Sequence, residues 1–158
     1  MLPLLAFLLQ ATVPDSSNSV TIPRLDAAVT IEGVLDEPAW RDAARLAGFR
    51  QYMPVDGRPA EERTEVLVWY SPGAIHFGIV AHARNPGTIR ATVADRDDID
   101  RDDRVTIYLD TFDDRRRAFL FAVNPLGVQA DGDPVVADGL QRRGCRNDQA
   151  SLRRVREG

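Results

Sequence analysis

Asp103-Arg104-Val105-Thr106-Ile107-Tyr108-Leu109-Asp110 and, after a charged turn, Ala118-Phe119-Leu120-Phe121-Ala122-Val123-Asn124-Pro125-Leu126-Gly127 decide the fold of this chain. In the first segment Val105, Ile107 and Leu109 alternate with Thr106, Tyr108 and Asp110. Successive side chains of a strand point to opposite faces, so this is a strand with one apolar face. The second segment is apolar and ends in Asn-Pro-Leu-Gly, a turn composition. Between them stands Asp113-Asp114-Arg115-Arg116-Arg117, too polar for a core strand. The two segments form a β-hairpin, and Val128 to Asp131 can continue its sheet.

Upstream of the hairpin lies a carboxylate-dense loop of Asp95, Asp97, Asp98, Asp100, Asp102 and Asp103. Asp98, Asp100 and Asp102 are spaced by two. Alternate carboxylates with backbone carbonyls between them suit calcium, which takes six to eight oxygens. Arg96, Arg101 and Arg104 offer a second reading, a solvated and self-paired charge run.

A second hairpin precedes that loop. Thr64 to Tyr70 alternates Val66, Val68 and Tyr70 with Glu65, Leu67 and Trp69. Ser71-Pro72-Gly73 is a turn, and Ile75, Phe77, Ile79 and Ala81 then alternate with His76, Gly78, Val80 and His82. Asn85-Pro86-Gly87 is a further turn, with a short strand expected over Ile89 to Val93. Another short strand is expected over Val29 to Val34. Asp36 reads as the N-cap of a helix running to about Arg45, with Trp40, Ala43 and Ala44 on one side. Phe49 to Ala60, with Pro54, Gly57 and Pro59, is a loop. Strands at short intervals, Gly/Pro turns and one small helix predict an all-β fold, an antiparallel β-sandwich.

Composition sets further bounds. The chain has 158 residues, 44% of them hydrophobic, and all 20 basic residues are arginine. The net charge is −4; residues 141–158 carry +4, which leaves −8 on the first 140. An acidic body argues against nucleic acid as a partner. The one cysteine, Cys145, has no partner for a disulfide and no ligands at zinc spacing. His76 and His82 are too far apart along one strand to share a metal unaided. Residues 1–12 read as a signal peptide with an apolar run from Leu2 to Leu9, which implies an extracytoplasmic location in periplasm, outer membrane or medium. Residues 13–21 read as a linker, 22–140 as the β-sandwich, and 141–158 as a disordered, Arg-rich tail.

Here the residues resemble a known family. Ile31-Glu32-Gly33-Val34-Leu35-Asp36-Glu37-Pro38-Ala39-Trp40 resembles the N-terminal signature of family 9 carbohydrate-binding modules, and Val66 to Val80 resembles the hairpin that follows it. Asp103 to Asp110 resembles that family's D-x-V-x-I-x-L/I-D strand. Arg115 to Phe119 and Asn124 to Asp131 are similar to a subgroup of long bacterial proteins, in which such a module precedes a β-rich region regarded as an outer-membrane barrel. The resemblance covers residues 22–133. It implies a jelly-roll sandwich, a polysaccharide or oligosaccharide ligand, often a structural calcium, and a β-barrel domain as a partner beyond this chain.

The same resemblance makes the face with Thr106, Tyr108, Ala122 and Asn124 the ligand face. Asp100, Thr106 and Ala122 stand where sugar-binding members carry tryptophan, glutamate and arginine; Asn124 matches. Sugar recognition needs flat aromatic faces and hydroxyl-binding polar groups. The candidate ligand-binding residues are therefore Tyr108, Asn124, Gln129, Asp100 and Trp69, and the candidate calcium ligands are Asp98, Asp100 and Asp102. For Tyr108 and Trp69 the competing role is packing of the sheet. No nucleophile elbow, catalytic Cys–His pair or carboxylate in an apolar pocket is legible. The expected function is a non-catalytic, extracytoplasmic carbohydrate-binding-like module, part of a longer outer-membrane protein. The alternatives are a structural domain of a barrel protein without sugar affinity, and a piece associated with a glycoside hydrolase.

Overall fold

The computed structural model describes residues 20–51, 56–114 and 116–136. The expected signal peptide and Arg-rich tail lie outside the described residues. Strands dominate. In chain order they are α1 (Ala39–Asp42), β1 (Ala44–Leu46), β2 (Thr64–Ser71), β3 (Ala74–Ala81), a single 3-10 turn at Pro86–Thr88, β4 (Val105–Leu109), β5 (Arg117–Val123) and β6 (Gln129–Val136). They form two three-stranded sheets, β1-β2-β3 and β4-β5-β6, antiparallel throughout. The all-β fold with one short helix is as the sequence predicts.

In the first sheet β2 is the central strand, and its register with β3 runs unbroken from Thr64↔Ala81 to Ser71↔Ala74. One face buries Val66 and Val68 with Ile22, supported by Ala44, Leu46, Phe49, Tyr70, Phe77 and Ile79. The other face buries Trp69 with Ala39 and Trp40, supported by Leu25, Val29, Leu35, Ala43 and Leu67. Because β2 is covered on both sides, its sequence is apolar at nearly every central position. Past the end of β1, the same edge of β2 is continued by Pro23–Leu25. Leu25 N donates to Tyr70 O at 2.9 Å and Tyr70 N to Pro23 O at 3.1 Å.

The signature around Trp40 has a structural job. The Glu37 carboxylate accepts from Thr30 N and from Trp40 Nε1, both at 2.9 Å. The backbone bond from Thr30, with the other donors, holds the Glu37 carboxyl below the usual carboxylate range. This clasp lays the Trp40 indole against β3 at Gly78. A Cβ on Gly78 would stand 2.9 Å from Trp40 Cζ3 and 3.0 Å from both methyls of Leu35. Glycine at that strand position is therefore a close-approach residue.

Three expected elements differ. Val29–Val34 is not a strand: Gly33 has φ +84°, which breaks extended geometry, and Ile31 is exposed. The helix is a single turn from Ala39, capped by Pro38 rather than by the Asp36 side chain, and its expected end is extended backbone in β1. Ile89–Val93 is also not a strand. Its backbone bonds go instead to the acidic loop: Arg90 N donates to Asp103 Oδ2 and Thr92 N to Asp102 Oδ2. His82 follows β3 rather than ending it.

The second sheet matches its expected hairpin. Val105↔Val123, Ile107↔Phe121 and Leu109↔Phe119 place the apolar residues of β4 and β5 on one face. Thr106↔Ala122 and Tyr108↔Leu120 define the opposite face. Between Ala118 and Leu120 the pairing with β6 shifts by one residue, a bulge.

Candidate functional site

The Thr106/Ala122 face, which the resemblance makes the ligand face, is buried along much of its length. Thr106, Ala122 and Ala118 are buried, and Asn124, two residues beyond Ala122 and so on the same side, is only 3% exposed. The reason lies in the loop before β4. Asn124 Nδ2 donates to Thr92 O at 3.0 Å and to Asp102 Oδ2 at 2.8 Å. Its Oδ1 accepts from Leu126 N and Val128 N at 3.0 and 2.9 Å. A side-chain amide has two donors and two acceptor positions. All four are filled, so Asn124 ties the acidic loop to the β5–β6 turn and has no bond left for a ligand. The turn explains the rest of Asn-Pro-Leu-Gly: Gly127 N donates to Asn124 O at 3.0 Å, and Gly127 takes φ +81°.

Asp102 is the other half of this knot. Its carboxylate receives Thr92 N, Thr92 Oγ1 and Asn124 Nδ2. The Thr92 backbone bond and the Asn124 amide hold its pKa below the usual aspartate value. Asp100 points outward, 91% exposed, and pairs with Arg104, which also donates to Ile99 O. Of the expected calcium ligands, Asp102 is bonded to Thr92 and Asn124 while Asp100 faces Arg104. Among the described residues no three His, Cys, Asp or Glu side chains converge on a metal-sized point. Arg96, Arg104 and backbone bonds brace the loop.

Trp69 corrects the expectation of a second platform. It is fully buried, stacked on the His76 ring with centroids 3.8 Å apart and meeting Trp40 edge-on at 6.0 Å. Its faces are occupied by protein. The partial overlap of apolar residues on both sides of β2 hid this from the sequence pattern. Tyr108 is half-buried on β4.

Gln129 is exposed and lies on the other face of the sheet, with Asp131, Phe121 and Val123. Arg96 of the acidic loop donates to Gln129 Oε1 at 3.2 Å and pairs with Asp131. Beside them Asp97, at φ +72°, gives its N–H to Gln129 O and accepts Asp131 N on Oδ1. These contacts cover the outer edge at the start of β6, where unpaired backbone would otherwise be exposed. The apolar part of this face is open to solvent at Phe121 and Val123. At the far end of the hairpin Phe112 stacks on Phe119, with the Arg117 guanidinium 4.1 Å from the Phe112 ring centre. Asp114, bonded to Arg116 N and to the Arg117 side chain and N–H, has its carboxyl held low by those donors.

So of the five sequence candidates for ligand contact, the structure brings none of the other four to Gln129. Asn124 and Trp69 are interior, Asp100 stands on the loop beside Arg104, and Tyr108 occupies the opposite face. Arg96, Phe121 and Asp131, which accompany Gln129, were not marked by the sequence. Arg96 lies 33 residues before Gln129 and only the fold joins them.

By architecture the chain is an all-β protein of two antiparallel sheets with one short helix. No family model matches it, and no curated protein or solved structure is significantly similar to it. Among the described residues no helix is long and apolar enough to cross a membrane.

Proposed function

We propose that the chain is a non-catalytic, extracytoplasmic carbohydrate-binding-like module, belonging to a longer outer-membrane protein and taking a polysaccharide or oligosaccharide as ligand. One observation carries this reading: two family-like motifs occur in the right order, each tied to a defined structural unit. The first is the Glu37–Trp40 clasp, and the second is the Asp103–Asp110 strand paired with the segment ending at Asn124. A sandwich arrangement of the two sheets belongs to the same proposal.

A second reading has its own support. The burial of Thr106, Ala122 and Asn124 favours a structural domain of a barrel protein without sugar affinity. The full chain, run through native gels containing soluble xylan, mixed-linkage β-glucan, galactomannan or laminarin, separates the readings. Retardation by one polysaccharide supports the module. Unretarded migration in all of them favours the structural domain. Release of reducing ends from any of them would overturn the non-catalytic assignment and favour the hydrolase-associated alternative.

A further inference from the structure

The face opposite the one implied by the family resemblance holds a small surface with the chemistry of sugar recognition. The register sets Phe121 opposite Asp131 and Val123 opposite Gln129. Gln129 O and Asp131 N are bonded outward to Asp97, so these are the non-hydrogen-bonded pairs of the β5–β6 ladder. Such pairs bring their Cβ atoms to about 4.5–5.5 Å. Phe121 is 45% exposed and Val123 36%. Arg96, bridging Gln129 and Asp131 and itself more than half exposed, fixes both polar side chains alongside the apolar pair.

We propose that Phe121, Val123, Gln129, Asp131 and Arg96 form the sugar-contacting surface of this module. This rests on the carbohydrate-binding reading and deepens it. Phe121 offers a flat apolar surface for the C–H face of a sugar ring. Among the described residues the Gln129 amide nitrogen and the second Asp131 oxygen have no protein partner. They supply a donor and an acceptor for adjacent hydroxyls, and Arg96 retains further N–H groups. Arg96 and Asp131 neutralise each other, so the strip suits a neutral, hydroxyl-bearing ring better than a phosphate or a polycation. The polar groups are pre-ordered by Arg96, which lowers the entropy lost on binding.

The test measures the dissociation constant of the full chain for whichever polysaccharide retards it, by affinity electrophoresis, with circular dichroism confirming that each variant is folded. Phe121→Ala and Gln129→Ala are each expected to weaken binding by about tenfold or more. Tyr108→Phe and Asp100→Asn, on the opposite face and on the loop, are expected to leave it unchanged. Wild-type affinity in folded Phe121→Ala and Gln129→Ala variants would overturn this site while leaving the module reading intact, as would a loss confined to Tyr108→Phe or Asp100→Asn. Absence of binding by the wild-type chain to every polysaccharide would overturn both.

Discussion

Replacing Gly78 by alanine tests the close approach of Trp40 to β3. The added methyl would sit 2.9 Å from Trp40 Cζ3 and 3.0 Å from Leu35 Cδ1 and Cδ2. Contacts that short are repulsive, so one neighbour must move. Trp40 has little freedom: Glu37 holds its indole N–H, and Trp69 meets its ring edge-on. Leu35 can rotate, but both of its methyls are already in contact distance. Overpacking of this kind costs about 1–3 kcal/mol. Alanine also removes the backbone freedom of glycine in the unfolded chain, which returns about 0.5–1 kcal/mol. The net expectation is a loss of roughly 0–2.5 kcal/mol. Urea unfolding followed by far-ultraviolet circular dichroism measures it as a lower midpoint at unchanged slope. Trimming Leu35 to alanine in the same chain opens part of the space, so the double variant is expected to lose less than the sum of the two single ones. A Gly78→Ala chain more stable than the wild type would show that Trp40 does not lie on β3 as described.

Three other perturbations address the clasp and the knot. Glu37→Ala removes the acceptor for Thr30 N and Trp40 Nε1 and is expected to lower the urea midpoint, whereas Glu37→Gln, which keeps an oxygen, lowers it less. Asn124→Ala strips partners from Thr92 O, Asp102, Leu126 N and Val128 N in a buried place; a loss of roughly 2–4 kcal/mol is expected in the same assay, and a loss under 1 kcal/mol would contradict the knot. Asp102 titrates below its unfolded value, so its contribution to stability is present above the ordinary aspartate pKa of about 3.9 and disappears as pH falls through the lower folded value. Thermal melts from pH 6 down to pH 2 are expected to show this acid-side loss in the wild type and a shallower one in Asp102→Asn.

The second sheet was legible because it obeys a simple rule. Val105, Ile107 and Leu109 alternate with Thr106 and Tyr108, and Asn124-Pro125-Leu126-Gly127 names its own turn, so the strands and the hairpin followed from local pattern. The first sheet was legible in its hairpin but not in β1. Ala44-Arg45-Leu46 has helix-favouring residues, and only its pairing with Val66–Val68 makes it a strand. Trp69 was ambiguous for a related reason: with both faces of β2 covered, alternation carries no information about which aromatic is interior. Val29–Val34 and Ile89–Val93 have strand composition yet lack a partner strand, and a β-propensity without a neighbour decides nothing. The site residues were hardest. Asn124 meets Asp102 and Thr92 across 22 and 32 positions, and Arg96 reaches Asp131 across 35. The side-chain types of Asp102 and Asn124 suggested a metal and a sugar ligand; their spatial partners tie the acidic loop to the β5–β6 turn.

The pairing of Trp40 with Trp69 has a spectroscopic consequence. These are the chain's two tryptophans, and both lie in one cluster on the first sheet. The second sheet contributes no indole, and among the described residues its tyrosine is Tyr108. Emission excited at about 295 nm therefore reports on the first sheet alone, with Trp69 further open to quenching by the stacked His76 ring. A ligand held at the proposed Phe121 surface would alter that emission only through an effect passed from one sheet to the other. A separate indole placed on β4 or β5 would give each sheet its own signal, and the two melting curves would then reveal whether the sheets unfold as one cooperative body or in turn.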